Sequence, residues 1–200
     1  MQSLGISGKL HMKRRFKFVL VTMGIIVSLL LVSCQSNELS KPNNESGLNG
    51  GFETTDSGYP VNWAFFPNPE SDDFVRISVD TTKAQEGKQS LELATDQSEK
   101  TVGFRSLRVP VQPGKTYNIS FAIQNDGCAL KVRRIVQDTS GTDNRRTEII
   151  VETSSPTSDW ETFEETLVVS DGEANVVLVF LVDGPGTLWF DNVQVEEVIE

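Results

Sequence analysis

The sequence predicts an all-β domain, a sandwich or a barrel of many short strands. Three observations carry this. Apolar and polar residues alternate at period two in run after run. Turn signals rich in Gly, Asn, Asp and Pro separate the runs. No matching stretch carries the 3.6-residue repeat of an amphipathic helix.

The chain opens on a segment that does not belong to the fold. Lys13, Arg14, Arg15 and Lys17 form a basic region, and VLVTMGIIVSLLLV (residues 19–32) is apolar. Leu31-Val32-Ser33-Cys34 then sets a cysteine behind small and branched residues, the pattern of a bacterial lipoprotein signal. Residues 1–33 are therefore expected to be a removable signal and Cys34 the lipidated first residue of the mature chain. The preceding MQSLGISGKLH adds nothing to a signal, which makes Met12 a candidate start. Residues 34–47 are polar and without periodicity, a tether between lipid and domain. Residues 48–200 suit one domain.

Within that domain the elements follow in order. In FVRISVD (residues 74–80), Val75, Ile77 and Val79 share one face. TYNISFAIQ (residues 116–124) alternates Tyr117, Ile119, Phe121 and Ile123 with polar or small neighbours. FEETLVV (residues 163–169) alternates Phe163, Leu167 and Val169 with polar ones. VVLVFLV (residues 176–182) is apolar on both faces, as a central strand covered on both sides would be. Turns are expected at Glu86-Gly87-Lys88, Pro113-Gly114, Asn125-Asp126-Gly127, Ser140-Gly141, Asp171-Gly172 and Asp183-Gly184-Pro185-Gly186.

Composition narrows the chemistry. Of the 18 basic residues, five lie in the signal, which leaves 13 against 28 acids and a formal net charge of −15. So acidic a chain repels nucleic-acid backbones and anionic headgroups, and no nucleic-acid partner is expected. The one histidine, His11, leaves with the signal. Without imidazole there is no Ser-His-Asp or Cys-His machinery and no His-ligated zinc. Cys128 has no partner once Cys34 is lipidated, and reads as a small buried hydrophobe. Any catalysis would have to run on carboxylates.

Six motifs in order then resemble a known family. They are NGGFE (residues 49–53), a Pro-x-x-Trp turn at Pro60 and Trp63, EGKQSLEL (residues 86–93), VQPGKTYNISFAI (residues 111–123), a W-x-x-F strand at Trp160 and Phe163, and GTLWFDNVQV (residues 186–195). The chain is similar to carbohydrate-binding modules of the CenC type (families 4, 9 and 22). The resemblance implies a galactose-binding-like jelly-roll sandwich that binds a polysaccharide or oligosaccharide without cleaving it. It also implies a structural Ca²⁺ where the first and last strands meet. The ligands would be the side chains of Glu53, Asp191 and Gln85 and the carbonyls of Gly51 and Lys88; hard Ca²⁺ takes several oxygens, some anionic. Gln85 departs from the acid sometimes found there, which lowers the charge of the site.

A sugar site needs apolar platforms for pyranose faces and polar groups for hydroxyls. The candidate contacts are Phe65, Phe66 and Trp189 as platforms and Arg105, Gln124 and Arg133 as polar groups. Trp63 and Trp160 are expected to be structural. Arg105, Arg108, Lys131, Arg133 and Arg134 concentrate positive charge on two segments of an acidic protein, which points to an acidic glycan; a solvated face paired with nearby acids is the plainer alternative. The expected whole is a lipid-anchored binding module of a bacterial envelope, on the outer membrane in a Gram-negative host. Two other readings stay open: a glycoside hydrolase or lyase using a carboxylate pair, and a scaffold that binds protein.

Overall fold

The computed structural model describes residues 45–67, 74–96 and 101–199. The signal, Cys34 and residues 35–44 of the tether lie outside the described residues. One helical turn, α1 (Glu45–Leu48), comes first. The strands follow as β1 (Thr55–Asp56), β2 (Tyr59–Pro60), β3 (Trp63–Phe66), β4 (Val75–Asp80), β5 (Ser90–Thr95) and β6 (Thr101–Ser106). After them come β7 (Val109–Pro110), β8 (Thr116–Asp126), β9 (Ala129–Gln137), β10 (Asn144–Thr153), β11 (Glu161–Val168), β12 (Asn175–Asp183) and β13 (Gly186–Glu197).

These strands form two large antiparallel sheets. One runs β10-β9-β12-β6-β3, with β7 also pairing β12; the other runs β11-β8-β13-β5-β4. Their inner faces meet in an aromatic core. Phe104 and Phe180 of the six-stranded sheet stack at 4.7 Å. Phe190 and Phe121 of the five-stranded sheet meet them edge-on, at 4.8 Å from Phe104 and 5.3 Å from Phe180. Such pairs add about 0.5–1.5 kcal/mol each beyond the area they bury. Trp63 completes the cluster, 5.4 Å from Phe104, with its indole N–H donating to Asn49 O. Its structural role is as the sequence predicts. Trp160 is only half-buried, just ahead of β11.

The strand patterns read from the sequence are all present, and β12 does sit in the middle of its sheet. Val176, Leu178, Phe180 and Val182 join the core from its inner side. Val177 and Val179 lie on the outer side, yet are only 3% and 9% exposed. Short valines there sit in register between longer neighbours: Ile135 beside Val177, and Arg105 and Arg133 beside Val179. Long side chains shelter short ones between them. Cys128 is fully buried and unpaired, and burial pushes its thiol up to about 11.

The fold begins a little earlier than the sequence suggests. Residues 45–47 fall in the expected tether, but form most of α1. Gly47 is buried and its carbonyl accepts from Asn62 Nδ2 at 2.6 Å. The contact is made across 15 residues, so no local pattern announces it.

Candidate functional site

Two places gather the candidate residues. The first is the meeting of the chain's beginning and end. Phe52 has φ 56°, a left-handed backbone that is costly for a bulky residue. Burial of its ring against Trp63 at 5.2 Å holds it there, as does the bond from Phe52 N to Asn49 O. This turn sends the ring inward and the next side chain, Glu53, outward to the loop before β5. Asn49 is the hub of the turn. Its side-chain amide bonds Thr54 O, Val61 O and Thr54 N.

Glu53 Oε1 accepts from the amides of Lys88 and Gln89, at 2.6 and 3.2 Å. Asp191 Oδ2 accepts from the amides of Gln85 and Glu86, at 2.7 and 3.0 Å, and Oδ1 from Asn192 N at 2.7 Å. One loop thus offers four N–H groups to two carboxylates. Burial pushes the Asp191 carboxyl above its ordinary value; the amides of Glu86, Gln85 and Asn192 pull it down, and the charge of Glu53 raises it again. Both side chains border Gly51, where a Cβ would stand 3.6 Å from the Glu53 methylene Cγ and 3.8 Å from Asp191 Oδ1. A cavity of about 430 Å³ beside them is lined by Asn49, Gly51, Glu53, Thr54, Glu86, Gly87 and Asn192.

These donors suit a hard cation in part. Both acids approach one glycine, Glu53 through its Cγ and Asp191 through Oδ1, and Glu53 Oε2 receives no hydrogen bond among the described residues. Among those residues no three acids, histidines or cysteines cluster as a metal site. Any remaining ligands would therefore be neutral oxygens. Gln85 and Lys88 face the acids through their N–H groups. Glu53 and Asp191 do meet the same loop, but sequence reasoning missed these amides, whose only trace was the turn at Glu86-Gly87-Lys88.

The second place is the outer face of the six-stranded sheet. Here Ala64, Arg105, Val179, Arg133 and Ile149 form one continuous cross-strand row. Two strand spacings put Arg105 about 10 Å from Arg133. Among the described residues neither arginine has an acidic partner. Other cations do: Lys131 with Glu152 at 2.9 Å, Arg134 with Glu148 at 2.6 Å, Arg146 with Glu173 at 2.6 Å. Arg108 donates to the carbonyls of Ser140 and Gly141. In the adjoining row Phe66 pairs with Gly103, where a Cβ would come 3.1 Å from the Phe66 ring. A Cβ there would clash first with the Phe180 carbonyl oxygen, so glycine admits the neighbouring strand as well as the ring.

The other proposed contacts do not join this face. Phe65 and Phe66, expected together in a loop, lie on strand β3 with opposite orientations. Phe65 packs toward the core, 5.9 Å from Tyr59 and 6.2 Å from Phe104. Trp189 and Gln124 are cross-strand partners on the five-stranded sheet. The Trp189 indole donates to Asp80 Oδ2 at 2.9 Å and Lys83 Nζ lies 3.2 Å from its ring centroid. Gln124 Nε2 donates to Ser158 O. The six candidates thus split, because strand order between sheets is invisible to local pattern.

Solved structures share this architecture. The CBM22-1 xylan-binding domain of Xyn10C from Paenibacillus barcinonensis superposes with a TM-score of 0.53 at 16% identity, covering 76% of this chain and 93% of that one. A CBM4 structure gives 0.51 at 21%, covering 75% and 98%. The enzymatically active domain of tailspike protein 4 from bacteriophage CBA120 gives 0.57 at 14%, covering 69% of this chain and 20% of that one. At such identities the likeness is one of fold. A comparison with curated protein sequences gives no match. Residues 44–186, however, match a family model described as a carbohydrate binding domain. On that match, across most of the sandwich just described, the chain belongs to the carbohydrate-binding modules of the 4 and 9 type.

Proposed function

We propose that this protein is a lipid-anchored module that captures an acidic polysaccharide on the outer face of its six-stranded sheet, without cleaving it. The observation that carries the reading is the row holding Arg105 and Arg133, two cations without acidic partners among the described residues, on either side of sheltered Val179. Guanidinium groups bind carboxylate or sulfate through paired, charge-assisted hydrogen bonds that lysine does not reproduce. Phe66, beside Gly103 in the next row, offers an apolar ring for a pyranose face. Family membership supports glycan as the ligand class, and the similar module from Paenibacillus binds xylan. Cys34 would hold the module to the envelope by lipid, on the outer membrane in a Gram-negative host.

We also propose a structural Ca²⁺ held by Glu53, Asp191 and the Gly51 carbonyl. Bound there it would offset the two negative charges and tie the first turn of the domain to its last strand.

Binding isotherms of the full-length chain in detergent test the ligand reading. Arg105→Ala and Arg133→Ala should each weaken binding to a uronate or sulfated glycan about tenfold or more, since a hydrogen bond to a charged group is worth about 1.5–3 kcal/mol. Added salt should weaken the wild type as well. Tight, salt-insensitive binding of a neutral glucan or xylan would overturn the arginine reading in favour of aromatic stacking. A chain that binds no glycan but pulls down a protein would favour the scaffold.

A further inference from the structure

A cavity of about 310 Å³ with a mixed polar and apolar lining opens at one end of the arginine-bearing face, bordered by Ala129, Leu130, Lys131, Glu152, Thr153, Ser154 and Asp183. Register explains why these residues meet. Lys131 faces Glu152 on β10, and Ala129 faces Asp183 on β12, so the cavity sits where three adjacent strands end or begin. Lys131 is two residues from Arg133 on β9 and therefore on the same face, about 7 Å along the strand. A glycan unit bound at Arg133 would place its neighbour here.

The chemistry of the cavity differs from that of the row. Arg105 and Arg133 offer donors alone. The cavity mixes signs: Lys131 Nζ lies 2.9 Å from Glu152 Oε1, and Asp183 Oδ1 accepts from the Thr101 hydroxyl at 2.7 Å. Among the described residues the second oxygen of each carboxylate, two further ammonium N–H groups and the Ser154 hydroxyl of this lining take part in no other hydrogen bond. A sugar hydroxyl both donates and accepts, so vicinal hydroxyls match such a set. A uronate or sulfate does not, because it would meet two carboxylates of its own sign. The volume is at the lower end of the range for small-ligand sites.

We propose that this cavity is a subsite for an uncharged sugar ring, so that the preferred ligand is a heteropolysaccharide with a neutral unit next to an acidic one. The inference rests on the acidic-glycan reading above. Two probes separate the parts: glucuronoxylan, which carries both kinds of unit, and polygalacturonate, which carries only acidic ones. The variant Glu152→Gln with Asp183→Asn keeps shape and hydrogen-bonding size at an exposed rim. In the full-length chain it should weaken glucuronoxylan binding about tenfold without weakening polygalacturonate binding. Arg133→Ala should weaken both. Unchanged glucuronoxylan affinity in the double variant, or equal losses on both probes, would overturn the subsite and leave the arginine face standing. If Arg133→Ala changes neither affinity, or the wild type binds neither probe, the arginine reading falls first and the subsite with it.

Discussion

Glu173 shows how far a single residue can depart from what its type suggests. It is 3% exposed at the turn before β12, and its carboxylate takes two bonds from Arg146, at 2.6 and 2.8 Å, and one from Ser170 N. Burial pushes its carboxyl up, but the hydrogen bonds of Arg146 and Ser170 and the charges of Arg146 and Arg134 outweigh this and hold it below its ordinary value of 4.5. The same arginines donate to Val168 O and Thr166 O. They thereby cap carbonyls of edge strand β11, which would otherwise be open to another chain. Because the folded value is depressed, the stabilisation is complete above pH 4.5 and is lost as pH falls through the folded value. Glu173→Gln should therefore cost about 2 kcal/mol at pH 7. Urea melts of both proteins at pH 7 and pH 3 check this, since the gap should shrink in acid. A gap unchanged in acid would assign the loss to packing instead.

At the scale of elements, the loop from Gln85 to Gln89 ties the start of the domain to β13. Gly87 has φ 71°, and a Cβ there would fall 2.2 Å from Glu53 Oε1. Only glycine lets the amides close on that carboxylate. If the proposed Ca²⁺ also binds, it stabilises the native state by about 2.7 kcal/mol at a hundredfold excess over Kd. For a domain of this size that is a rise of about 5–10 °C in Tm. Glu53→Ala and Asp191→Ala should each abolish the response to calcium. Calorimetry with and without chelator decides it: a wild-type Tm that chelator leaves unmoved means that amides alone balance the two acids.

For the whole molecule, charge and anchoring set the terms of binding. The whole chain carries a formal net charge of −10, which would become −15 on removal of the proposed signal, so acidic polymers are repelled at long range and the proposed capture would depend on the local field of the arginine face. A lipid anchor would offset that repulsion by holding the face near its ligand, at an effective concentration set by the tether. Cys34→Ser should leave an unprocessed or soluble form, read by membrane fractionation and intact mass. Unchanged partitioning and mass in that variant would refute lipidation.

What the sequence determined by itself is local or carried by ordered motifs. Period-two alternation at Tyr117, Ile119, Phe121 and Ile123 yields β8, because neighbouring side chains on a strand point to opposite faces. The double-sided apolar run at 176–182 yields a central strand, and six motifs in order yield the family. Tertiary structure alone decided which strands adjoin. It set Arg105 and Arg133 in one row although 28 residues separate them, and moved Trp189 and Gln124 to the other sheet. It also turned the amides of residues 85–89 onto Glu53 and Asp191. Strand order and loop orientation are settled by long-range pairing and by burial of one shared core, and neither leaves a mark in the spacing of nearby residues.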